Sequence, residues 1–151
     1  MAAFLAWADE HDAGRAPLWR FMAATGVRRG EALGLEWRDV KGAVLSVERN
    51  ARPGQLGLPV VGPIKNKKTR AVSLDDATTK LLKSWKAHRG SLALQLVRPD
   101  AVLFADESGS RPRPKAITDA FRNSLNRCRR DLGDDAPPRI TLHGLRHIVS
   151  A

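Results

Sequence analysis

Residues 24–40, Ala-Thr-Gly-Val-Arg-Arg-Gly-Glu-Ala-Leu-Gly-Leu-Glu-Trp-Arg-Asp-Val, set the tightest limit on what this chain can fold into. Gly26 suits a left-handed turn that a residue with a Cβ resists. Arg28 stands just past that turn. Glu31 follows three residues later, near the start of a short helical run where a carboxylate is favoured. Leu33, Leu35, Trp37 and Val40 can anchor the segment in a core. An arginine on such a ledge is well placed to grip an anion. The same pattern equally describes an ordinary corner between two helices carrying a surface salt bridge.

The flanks of this corner are helical in period. Residues 1–11 read as helix, with Phe4, Leu5 and Trp7 toward an apolar side. After a polar break, Leu18, Phe21 and Met22 recur at helical spacing, with Pro17 in the first turn, where its missing N–H costs nothing. Trp19 and Phe21 are expected in the core. Beyond Val40 the period changes. Residues 43–47 predict a strand, and residues 50–58, with Pro53, Gly54 and Gly57, a loop or wide hairpin end. Val60 and Val61 begin a return strand, residues 65–70 form a basic turn, and residues 71–74 are a further strand. Asp75 caps a helix through Leu81, Leu82 and Trp85 to about His88, which Gly90 ends or weakens. Residues 101–104 are a short buried extended piece. A long helix starts at or just before Thr118, with Phe121, Leu125 and Cys128 inward and arginines outward, and Gly133 ends it. Thr141 caps a last helix that puts His143 and Arg146 on one face, with Leu145 packed elsewhere. The fold expected is one mainly α domain with a small antiparallel β-sheet.

A chain of 151 residues with 42% apolar content can bury a proper core. Its one cysteine, Cys128, excludes an intrachain disulfide framework. The apolar run at residues 2–8 is too short to span a membrane and lacks a basic leader, so a cytoplasmic protein without a membrane partner is expected. The net charge of +10 argues for a polyanion, since each neutralised phosphate releases counterions. Lys65, Lys67, Lys68 and Arg70 form one basic group; Arg111, Arg113 and Lys115 form a second. Arg122, Arg127, Arg129 and Arg130 form a third. With few aromatics beside them, these groups suit a duplex backbone better than stacked single-stranded bases.

Arg28, Lys65, His143 and Arg146 share a chemistry. Arginines offer planar donor forks to phosphate oxygens, a lysine can protonate a leaving oxygen, and a histidine can shuttle a proton. Together they could stabilise charge at a phosphodiester without a metal. Each could instead be a separate solvated charge or helix cap. No acidic cluster suited to two magnesium ions is evident, which disfavours a metal-dependent nuclease.

Three motifs in this order resemble the catalytic domain of the tyrosine recombinases, the phage integrase family. They are residues 24–31 with Leu33-Gly34-Leu35 and 37–40, residues 65–74, and Leu142-His143-Gly144-Leu145-Arg146-His147. The resemblance covers essentially the whole chain and implies the integrase catalytic-core fold. It also implies that Arg28 and Arg146 clamp the scissile phosphate and that Glu31 supports the site. By the same resemblance, Lys65, with Lys67 as competitor, protonates the departing 5′ oxygen. His143 assists proton transfer, and His147 is structural. Lys67, Lys68, Arg70, Arg111, Arg113, Lys115 and Arg122 are expected to contact DNA.

Family members cut DNA by attack of a tyrosine hydroxyl, work on double-stranded DNA as tetramers, and need neither ATP nor metal. This sequence contains no tyrosine and stops five residues after Arg146. The expectation is therefore a C-terminally incomplete catalytic domain over residues 1–151, bacterial or phage-encoded. Such a piece would be inactive alone, its parent a site-specific recombinase; the alternative is a non-catalytic DNA-binding or regulatory remnant of an integrase.

Overall fold

The computed structural model describes residues 1–64 and 68–145. Helices α1 (Ala2–His11) and α2 (Ala16–Thr25) lead into the short α3 (Arg29–Gly34). Five strands follow: β1 (Val40–Lys41), β2 (Val44–Val47), β3 (Arg49–Pro53), β4 (Pro59–Pro63) and β5 (Arg70–Ser73). Helices α4 (Asp76–Leu92), α5 (Pro114–Leu132) and α6 (Leu142–Leu145) complete the fold. No helix among the described residues is long and apolar enough to cross a membrane.

Aromatic residues join the helices. The Phe121 ring of α5 lies edge-on to Phe4 of α1 at 5.4 Å and to Trp19 of α2 at 5.3 Å. Edge-to-face geometry sets the positive rim of one ring against the negative face of another. Asp12 ties the same helices together, accepting from Trp19 Nε1 at 3.0 Å and from Ser124 Oγ at 2.6 Å. Trp37 and Trp85 are buried, and their indole N–H groups donate to the Leu96 and Leu103 carbonyls. Thus their polar edges are satisfied inside the core. Cys128 is a buried thiol, and burial pushes it above its usual range.

The β content divides into a three-stranded antiparallel sheet, β1-β2-β5, and a separate β3-β4 hairpin. In the first, Leu45 faces Val72 and Val47 faces Arg70, with Leu45 and Val47 fully buried. One sequence expectation needs correction. Residues 50–53 lie in a strand rather than in the expected loop: β3 pairs with 59–63, Ala51 opposite Val61 and Pro53 opposite Pro59. The partner strand supplies the ladder, and both prolines sit at its end, where a missing donor is tolerated. The turn narrows to residues 54–58, closed by Gly54 N–H to the Leu58 carbonyl at 2.7 Å. Helix α4 runs on past His88 through Gly90 to Leu92, so Gly90 does not end it. A Cβ at Gly90 would touch the Val97 side chain at 3.5 Å, so the helix is packed at that point.

Helix α3 lies directly on the backbone of β3. A Cβ at Gly30 would stand 2.6 Å from the Ala51 carbonyl oxygen, and one at Gly34 2.8 Å from that of Arg49. Four residues apart, these glycines share one helical face. Gly30→Ala would gain about 1 kcal/mol in helix propensity. The backbone clash should outweigh that gain at about 1–3 kcal/mol. A lowered urea midpoint is the expected result; a midpoint at or above the parent's would contradict the close apposition.

Candidate functional site

The turn that presents Arg28 forms as expected. Gly26 takes φ 71°, and its N–H caps α2 by donating to the Met22 carbonyl at 3.0 Å. Val27 is buried and Arg28 is exposed. Glu31, third residue of α3, turns back and accepts the Arg28 N–H on Oε1 at 2.9 Å. This satisfies one of the donors that a helix N-terminus leaves without an intrahelical partner.

Glu31 is 6% exposed and is also held from the sheet. Arg70, the first residue of β5, donates from Nη1 to Oε2 at 2.5 Å and from Nη2 to Oε1 at 2.9 Å. Burial pushes the Glu31 carboxyl up, but the Arg70 bonds, the Arg28 N–H and both guanidinium charges outweigh it. The group sits below its ordinary value, and Arg70 is correspondingly raised by the bond it makes.

The far end of α3 is held as firmly. Arg111 Nε donates to the Leu33 carbonyl at 2.7 Å, and Arg49 Nη1 reaches the Gly34 carbonyl at 3.4 Å. Guanidinium groups at terminal carbonyls complement the helix dipole. Burial lowers the Arg111 guanidinium; Glu36 opposes that effect and Arg49 adds to it. Arg29 links the same helix to α5 by donating to Thr118 Oγ1 at 2.9 Å.

Arg28, Glu31 and Arg70 therefore form one cluster. His143 is exposed on α6, whose Leu142 and Leu145 are buried. Thr141 Oγ1 accepts the Gly144 N–H at 3.0 Å, the cap expected there. Helix α6 packs on α2, which delivers Arg28, and on α5, which anchors Arg29. Lys65, Lys67, Arg146 and His147 lie outside the described residues.

The remaining basic residues divide by environment. Lys68 and Arg113 are exposed. Lys115 and Arg122 are also exposed and share Asp119, at 2.7 and 3.1 Å. Arg111 is turned inward onto α3. Of the third group, Arg127 lies over the Trp7 ring and Arg129 donates to the Pro137 carbonyl. The sequence reading missed the Glu31–Arg70 pair and the glycine face of α3. The four-residue spacing of Gly30 and Gly34 was a signal for the second.

The sequence profile of the phage integrase family matches residues 2–151. The chain belongs to that family. No curated protein sequence matches it. Solved structures of two integrases and a recombinase share the fold. The Tn1549 transposon integrase (residues 82–397) in complex with circular intermediate DNA has a TM-score of 0.81 at 16% identity. That match covers 98% of this chain and 50% of the other. XerA recombinase gives 0.68 at 22% identity, covering 99% and 45%. The lambda integrase (residues 75–356) bound to DNA gives 0.66 at 17%, covering 99% and 46%. This integrase chain thus spans about half the length of the solved chains it matches.

Proposed function

We propose that this chain is the catalytic portion of a site-specific DNA recombinase that cuts and rejoins strands through a 3′-phosphotyrosyl intermediate. The observation that carries the reading is Arg28, an exposed guanidinium at the head of a helix fixed at both ends, in a chain of the phage integrase family. A cation carried on a fixed backbone lowers the cost of charge that develops at phosphorus, because less must reorganise during the reaction.

In this reading Arg28 and Arg146 bind the non-bridging oxygens of the scissile phosphate. A tyrosine hydroxyl attacks phosphorus and the bond to the 5′ oxygen breaks. His143 assists removal of the tyrosine proton, and Lys65 delivers a proton to the departing oxygen. The 151 residues hold no tyrosine; in this proposal the nucleophile is supplied by protein outside them, and these residues alone do not cleave. The partner is double-stranded DNA, in keeping with the DNA named in the Tn1549 and lambda integrase structures, with the exposed Lys68, Arg113, Lys115 and Arg122 on its backbone. The whole protein acts as a tetramer on paired duplexes.

Nicked suicide duplexes taken from the DNA flanking the gene test the proposal. The protein from the full reading frame should form a detergent-resistant adduct with the labelled 3′ strand. The 151 residues alone should bind the duplex without forming one. Binding by the full protein with no adduct would replace the catalytic reading with a DNA-binding module.

A further inference from the structure

We propose that Arg70 is a positioning residue that acts through Glu31 to keep the Arg28 guanidinium available to DNA, and is not itself a phosphate contact. The inference rests on the recombinase reading above. Both terminal nitrogens of Arg70 are committed to one carboxylate, at 2.5 and 2.9 Å. Such a fork-to-fork pair fixes the carboxylate in orientation as well as in charge. The oxygen that receives Arg70 Nη2 also receives the Arg28 N–H, so Arg70 sets the atom that holds the Arg28 backbone.

Charge adds a second role. Glu31 is buried, and the Arg28 charge already acts on it. Without Arg70, this buried carboxylate would have Arg28 as a cation to recruit. A guanidinium drawn inward to Glu31 is lost to a phosphate. Helix α3, only six residues long, is too short to hold its geometry unaided. Its N-terminal end therefore depends on tertiary anchors, and Arg70 reaches it from the sheet.

The test uses the full-reading-frame protein and the same suicide duplexes. Arg70→Gln should slow single-turnover cleavage about tenfold to a hundredfold, the range for lost positioning contacts. Because a sequestered Arg28 also leaves its phosphate, the salt slope of DNA binding should fall by about one in Arg70→Gln. Arg70→Lys, which keeps the charge without the fork, should fall between. The deciding variant is Arg70→Gln combined with Glu31→Gln. The amide oxygen that this second change leaves at position 31 can still accept the Arg28 N–H. It carries no charge to sequester the Arg28 side chain, so most of the lost rate should return. Equal or deeper loss in the double variant, or a salt slope that stays reduced by about one there, would overturn the proposal in favour of a direct phosphate contact. Hydrogen exchange at the Arg28 amide gives a readout independent of cleavage. Faster exchange at this amide in Arg70→Gln than the accompanying fall in Tm accounts for is expected, and unchanged exchange would refute the positioning role even if the parent forms no adduct. Absence of an adduct in the parent, by contrast, counts against the recombinase reading.

Discussion

Arg28→Ala in the full-reading-frame protein is expected to slow strand cleavage by more than about a hundredfold, the cost of removing one preorganised donor from a charge-developing centre. The fold should survive. The Arg28 side chain is exposed, and the bond that ties this position to Glu31 is made by its backbone N–H, which alanine retains. Thermal unfolding should therefore hardly move while the single-turnover rate collapses. Arg28→Lys should recover only part of the rate, because an ammonium supplies charge but not a planar pair of donors. If Arg28 were a surface charge at an ordinary helix corner, both variants would cut at the parental rate. That result would remove the assignment.

The parts of this site legible in the sequence are those that one residue or one local period determines. Gly26 could be read because a positive φ is a property of a single position. The inward face of α5 could be read because Phe121, Leu125 and Cys128 repeat at helical spacing. Strand β3 could not, since residues 49–53 acquire their ladder only from residues 59–63. The same limit applied to charge. Arg70 is 39 positions from Glu31, and its run of basic neighbours pointed toward DNA. Arg111 stood in a basic run as well, yet it caps a helix that begins and ends far upstream. A count of positive residues sees the polyanion partner but not which cations the fold has already engaged.

Those engaged cations give the second large effect. Arg49→Ala is expected to destabilise the chain by about 3–5 kcal/mol, the cost of breaking a buried ion pair from one side. Arg49 donates to both oxygens of Asp39, at 2.7 and 3.0 Å, and Asp39 is 3% exposed. Asp39 also accepts the Glu36 N–H at 2.8 Å, so its carboxylate is fixed in place and cannot turn to water. Glu36 would fare better, since Arg38 remains 2.7 Å from its Oε1. The penalty should therefore fall on Asp39, and adding Asp39→Asn to Arg49→Ala should recover much of it by removing the stranded charge. Urea unfolding of the chain measures both. A single-variant loss below about 1 kcal/mol would place this pair with exposed salt bridges, contrary to its burial. Arg49 also reaches the Gly34 carbonyl, so its removal loosens the end of α3 opposite Arg28. Arg28→Ala should remove cleavage at constant stability, whereas Arg49→Ala should lower stability first and cleavage as a consequence. That ordering separates the group that would meet the phosphate from the one that holds its ledge.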